Sequence, residues 1–258
     1  MSKFRALVLD CESHFKSTHN KLIFHIAWVG GNVRNTLDPR EPEEFYVEEF
    51  LPGGFFSHSY IDKITGIRKP WKLDSRCNRV QIRAFANPHL VKPWDYIMEK
   101  LAFDISVSEG VGSYNWTFDA SAIDTTNRYL THSGIVNTFD TPKFCLLDCY
   151  VNKIINKNYF SFIDNLDSVD VQNYLSKSGK NLGYSAEVMA RYMMQHHNYV
   201  EAHTALEDAT VEFELLEYFV AKYWKSFDEE FLGKPKSVAW GSIRERHSSA
   251  QKMRKRNS

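Results

Sequence analysis

Phe4-Arg5-Ala6-Leu7-Val8-Leu9-Asp10-Cys11-Glu12 is the stretch on which the reading of this chain turns. Four apolar residues in a row, Ala6 to Leu9, bounded by a base and an acid, have the length and limits of a central strand buried on both faces. Residues two apart on a strand share a face. Asp10 and Glu12 are therefore expected to project together from the strand's carboxyl end, where open α/β sheets place their ligands. Two like charges that close are unfavourable unless a cation lies between them. Hard divalent ions such as Mg²⁺ or Mn²⁺ prefer oxygen donors of this kind. The spacing alone is common, since Asp228 and Glu230 repeat it in a polar stretch. The apolar strand leading into Asp10 sets this pair apart, and Cys11 between them is expected to point into the core.

Working outward, Leu22–Val29 predicts a second strand, with Gly30-Gly31-Asn32 as the left-handed turn after it. Phe45–Leu51 predicts a third, stopped by Pro52-Gly53-Gly54. Residues 57–87 mix Lys, Arg, Gly and Pro without clean periodicity. Trp94, Ile97, Met98 and Leu101 recur at three- and four-residue spacing and predict a helix over Pro93–Phe103. A short strand is expected within Ser106–Tyr114, a helix over Asp119–Leu130, a strand over Phe144–Leu147 and a helix over Val188–Met194. His203–Tyr223 is the clearest helix, with Leu206, Ala209, Phe213, Leu216, Val220 and Tyr223 on one stripe. Strands come first and then alternate with helices, which points to an α/β domain with a mixed sheet.

The chain has 258 residues, which suits one large domain or one domain with an appendage. With 43% hydrophobic residues it can build a packed core. No apolar run reaches the roughly 18 residues of a membrane span. The start of the chain lacks the long apolar region of a secretory signal. Cys11, Cys77, Cys145 and Cys149 show neither zinc nor disulfide spacing, so a cytoplasmic location is expected and Cys145 and Cys149 read as buried thiols. The 32 bases and 32 acids balance, yet from Lys234 onward eight bases meet a single acid, a net of +7 that leaves −7 on the other 233 residues. Such a tail suits either a polyanion or simple solubility. The segment Arg68, Lys69, Lys72, Arg76, Arg79 and Arg83, with Trp71, reads as a contact for nucleic-acid phosphates or as solvated surface. His196-His197 reads as a solvated helix end. Trp116, Phe118, Phe15 and Phe55-Phe56 are candidates to stack on bases, although each alone reads as core.

Two further signals stand downstream. Asp119 follows Tyr114-Asn115-Trp116-Thr117-Phe118 and, taken alone, reads as an ordinary helix cap. His203 and Asp208 form the chain's single His-x4-Asp. Five residues of helix turn through about 500°, so the pair would not share a helical face, and a lone His there reads as structural.

Taken together, Asp10-x-Glu12, then Asn115-x3-Asp119, then His203-x4-Asp208 resemble the DEDDh 3′–5′ exonucleases, the superfamily of proofreading exonucleases and oligoribonucleases. The resemblance covers roughly residues 4–223. Lys21 to Val29 resembles the family's second strand, Asp62 to Ile67 its substrate-side segment, and Phe144 to Asp148 a later strand. It implies an RNase H-like fold, a mixed central sheet flanked by helices, over residues 1–232. A basic insertion over about 67–87 and a basic tail over 233–258 would complete the chain. It further implies that Asp10, Glu12, Asp119 and Asp208 hold two divalent cations, Mg²⁺ or Mn²⁺, and that His203 is the general base. Ser13, His14, Phe15, Gly66, Ile67 and Asn115 would line the substrate site. Ser13-His14-Phe15 stand where the family often has Thr-Thr-Gly, Tyr114 where it often has His, and Thr65 where its His-Gly-Ile begins. The implied partner is nucleic acid at single-stranded 3′ ends, DNA ahead of RNA, and a polymerase or other replication partner is compatible with it. A nucleic-acid-binding module without turnover is the rival from another class.

Overall fold

The computed structural model describes residues 3–15, 21–35, 37–50, 59–61, 68–70, 75–131, 140–167, 169–175, 182–201 and 203–236. Pro52-Gly53-Gly54, Phe55-Phe56, the Asp62 to Ile67 segment with Gly66 and Ile67, Trp71-Lys72 and the tail beyond Lys236 lie outside the described residues.

Eight strands and seven α-helices follow one another among the described residues: β1 Arg5–Phe15, β2 Lys21–Asn32, β3 Glu41–Val47, β4 Ser59–Ile61, β5 Arg68–Pro70, α1 Ser75–Ala86, β6 Val91–Lys92, α2 Trp94–Ser106, β7 Gly110–Ser113, α3 Trp116–Thr131, β8 Lys143–Cys145, α4 Leu146–Lys153, α5 Lys157–Asp164, α6 Ala186–Met194 and α7 Ala205–Ser226. Six strands form one sheet in the order β6-β3-β2-β1-β7-β8, and β4 pairs with β5 apart from it. The first three strands run antiparallel, whereas β1, β7 and β8 are parallel. This is the α/β fold with a mixed central sheet flanked by helices that the sequence implied.

The centre of the sheet explains itself. Ala6, Leu7, Val8 and Leu9 are essentially inaccessible, as expected of a strand covered on both sides. Gly112 of β7 sits so close to β8 that an added Cβ would lie 2.4 Å from the Phe144 ring, so any side chain there would push the two strands apart. Helices α3 and α7 both pack on β1 and β2. Trp94 Nε1 donates to Asn127 of α3 at 3.1 Å, which seats α2 against the same core.

Helix α7 begins with a reciprocal cap. Thr204 accepts the Glu207 N–H at 3.4 Å while its hydroxyl donates to the Glu207 carboxylate. It breaks at Tyr223, where φ is −132°, and gives way to a π-helical turn at Phe227–Phe231. That turn carries the Asp228/Glu230 pair, and Glu230 is occupied by Lys153 at 2.9 Å on the surface.

Three expectations are corrected. Gly30 and Gly31 are not a turn: they continue β2 in register with Leu7 and Ala6. Their smallness serves close packing, since a Cβ on Gly31 would meet the Phe213 ring of α7 at 3.0 Å. The strand expected over Phe144–Leu147 ends at Cys145, and Leu146 already opens α4. His197 is also tied rather than free at a helix end, with Nδ1 2.7 Å from the Tyr174 hydroxyl.

Candidate active site

The parallel ladder between β1 and β7 ends at Val8 and Gly112, but β1 itself runs on to Phe15. Asp10 and Glu12 therefore stand just past the carboxyl edge of the parallel strands, on a segment still pinned to β2 through Ala27 and His25. The register slips between Glu12 and Ser13, a bulge that bends the strand directly after the acid pair. Cys11 is buried, as its alternation requires.

The turn after β7 delivers the third acid. The Asn115 carbonyl accepts the Phe118 and Asp119 N–H groups, so α3 starts at Trp116. Asp119 consequently lies inside the first turn and is not the cap that it resembled in isolation. It is buried, and the Ser113 hydroxyl donates to its Oδ2 at 2.7 Å.

The start of α7 supplies the rest. His203 precedes the Thr204 cap with φ of +55°, a left-handed conformation uncommon for a non-glycine residue. His203 lies just before the helix, as its place in the sequence allowed, so the turn of about 500° between helical faces does not separate it from Asp208. Its imidazole turns back, and Glu201, His203 and Asp208 each offer a ligand atom within 4.8 Å of the others. Asp10, Glu12 and Asp208 do the same. Asp208 belongs to both groups, so the two are one site. Its Oδ1 is buried and has no hydrogen-bond partner among the described residues.

The electrostatics agree with a site that lacks its counter-charge. Burial, then Glu201, Glu12 and Glu207, push the Asp208 carboxyl up to about 8. Burial, then Glu187 and Glu12, push Glu201 up to about 7. Asp10 is raised well above the carboxylate range by burial first and then by Glu212, Asp119, Asp208 and Glu12. Oxygen donors crowded in this way fit hard divalent cations, and the orphaned Asp208 oxygen is the acceptor such an ion would satisfy.

Asn115 and Phe118 line the same pocket. Trp116 belongs to the core instead. Ser13 is half-buried beside the bulge, and its hydroxyl has no partner among the described residues. His14 and Phe15 continue β1, but their side chains are outside the described residues. Tyr114 is buried, and its hydroxyl donates to the Tyr184 carbonyl at 2.6 Å.

Two pocket acids went unread in the sequence. Glu212 accepts the Tyr114 N–H at 2.8 Å, which ties α7 to the turn that carries Asn115 and Asp119. Its position one helical turn after Asp208 was the available signal. Glu201 stands two residues before His203, and nothing local marks it.

No family model matches the chain, and neither does any curated protein. Solved structures do. E. coli exonuclease I in complex with a dT13 oligonucleotide superposes with a TM-score of 0.52 at 12% identity, over 87% of this chain and 43% of that one. The zinc-bound form of the E. coli exonuclease I–ssDNA complex gives 0.53 at 14% identity, over 87% and 42%. The nuclease domain of 3′hExo, a DEDDh family member, bound to rAMP, gives 0.52 at 10% identity, over 86% and 94%. The chain thus spans less than half the length of exonuclease I and nearly all of the 3′hExo nuclease domain. Its fold is that of these exonuclease structures.

Proposed function

We propose that this protein is a metal-dependent 3′–5′ exonuclease that releases nucleoside monophosphates from single-stranded DNA ends. One observation carries the reading: Asp10, Glu12, Asp119 and Asp208, far apart in sequence, meet with His203 around one pocket on a fold shared with exonucleases. The four acids would hold two divalent cations, Mg²⁺ or Mn²⁺. Such a pair supplies charge stabilisation for both the attacking and the leaving oxygen of a phosphodiester. His203, half-exposed at the rim, takes a proton from the attacking water. The water oxygen bonds to phosphorus as the bond from phosphorus to the 3′-oxygen of the preceding nucleotide breaks. Asn115 and Phe118 contact the terminal nucleotide from the pocket wall, Phe118 by stacking.

DNA comes first because exonuclease I was captured with single-stranded DNA. An exoribonuclease is the second reading, favoured by rAMP on the 3′hExo domain, which this chain matches in extent. Digestion of 5′-labelled single-stranded DNA, duplex DNA and RNA of one sequence, with Mg²⁺ or Mn²⁺, tests both. The expected result is a ladder shortened one nucleotide at a time from the 3′ end, strongest on single-stranded DNA. No shortening of any substrate in either metal refutes the reading.

A further inference from the structure

Glu201 lies outside the acid quartet and the general base, yet the fold goes to some length to hold it. Its carboxylate is 12% exposed and lines the pocket, with Oε2 3.6 Å from Nδ1 of His203. Its N–H donates to Glu187 Oε1 at 3.2 Å. Arg191 fixes Glu187 through Nη2 at 2.6 Å and also donates to the carbonyls of Tyr199 and Asn173. One guanidinium therefore clamps the segment that presents Glu201. On the other side, His203 is held in a left-handed conformation, with φ of +55°, that is uncommon for a non-glycine residue. The clamp and the strained backbone bring a carboxylate and an imidazole face to face at the rim of the pocket.

We propose that Glu201 is the positioning residue of His203: its carboxylate draws the imidazole proton to Nδ1 and leaves the Nε2 lone pair to receive the proton from water. Which nitrogen of a neutral histidine carries the proton is set by the partner of the other one. A carboxylate behind a base fixes both ring orientation and tautomer, and it stabilises the imidazolium that forms. The catalytic consequence rests on the exonuclease reading; the tautomer does not.

The test separates the two. Histidine ¹⁵N spectra of the metal-free protein, recorded at about pH 8.5 where an ordinary imidazole is neutral and assigned with His203→Asn, should show His203 as the Nδ1–H form. Glu201→Gln should move it toward Nε2–H, the form that predominates in water. An unchanged tautomer overturns the proposal. In turnover, Glu201→Gln should lower kcat about 10- to 100-fold with KM within about twofold, and Glu201→Asp should recover part of it. The double variant with His203→Ala should be no slower than His203→Ala alone. Full activity in Glu201→Gln, or additive losses in the double variant, overturn it as well. A Glu201→Gln variant that keeps the tautomer but binds Mn²⁺ more than about tenfold weaker would make Glu201 a metal ligand instead. A wild-type protein that degrades nothing while the tautomer shifts as expected would sink the exonuclease reading and leave the positioning role standing.

Discussion

At the amino end of β1, Arg5 grips Glu41, with Nη1 3.3 Å from Oε1, while Lys100 bridges Glu43 at 3.0 Å and Asp104 at 2.8 Å. Trp28 adds its indole N–H to Asp104 at 2.9 Å. At the other end of the same strand, Asp10 and Glu12 face Asp119, Asp208, Glu201 and Glu212 across a pocket with no Lys or Arg among its described lining residues. The titration behaviour follows the pairing. The hydrogen bond to Arg5 lowers Glu41, and the one to Glu41 raises Arg5. Lys100 is raised despite its burial, by its hydrogen bonds to Asp104 and Glu43. In the pocket Asp10, Glu201, Asp208 and Glu212 are all raised. A charge cluster that the fold neutralises with its own bases is architecture; one whose acids are raised for want of a counter-charge awaits a cation.

The sharpest way to break this contrast is Asp10→Ala. Exonuclease activity should fall on the order of 10³-fold or more, as when a member of a catalytic set is lost. The melting temperature of the metal-free protein should hold or rise, because a buried acid without a counter-charge is gone. A variant that unfolds would mean that the acids are structural after all.

Mg²⁺ or Mn²⁺ should stabilise the wild type by about 2.7 kcal/mol at a hundred times Kd, seen as a rise in melting temperature that EDTA reverses. Asp10→Ala should lose most of that gain.

Acidity should separate the two ends next. Asp208 at about 8 and Glu201 at about 7 exceed the ordinary carboxyl value near 4, so between these limits the folded state holds more protons than the unfolded one. Their contribution to stability is complete below about pH 4 and is lost as pH rises through 7 to 8. Denaturant midpoints of the metal-free protein should therefore fall from about pH 5 to about pH 8.5, and saturating Mn²⁺ should flatten the slope. A midpoint that rises across the range would show that the pocket acids are already paired.

Lys100→Met should have the smallest effect, about 1–3 kcal/mol of stability, since it leaves the mostly buried Asp104 with only the Trp28 N–H among the partners described here. Activity should not change. A loss of turnover would show that the two clusters are coupled through β1.

The parts of the molecule that were legible in sequence are those whose cause is local. The three- and four-residue spacing of Trp94, Ile97, Met98 and Leu101 became α2, all four of them buried. The apolar stripe from Leu206 became α7, and Ala6–Leu9 became the central strand. The misreadings concern residues whose role depends on a distant neighbour. Gly30-Gly31 looked like a turn because glycine permits one, whereas the packing of Phe213 of α7 on Gly31 decides the matter. Asp119 looked like a cap because α3 was expected to begin with it, whereas the helix starts three residues earlier, at Trp116, and the buried Asp119 side chain takes the Ser113 hydroxyl instead.

Periodicity and local propensity, which act within a few residues, determined the elements, whereas Asp10, Glu12, Asp119, His203 and Asp208 stood out as one set only through the family resemblance that their three ordered motifs carry. Tertiary structure alone decided that Glu201 joins them, that Glu212 reaches across to the Tyr114 N–H, and that the His203 imidazole turns toward Asp208. Those facts arise where β1, the β7–α3 turn and the start of α7 converge. Contacts between segments this far apart in the chain leave no periodic trace in the sequence that makes them.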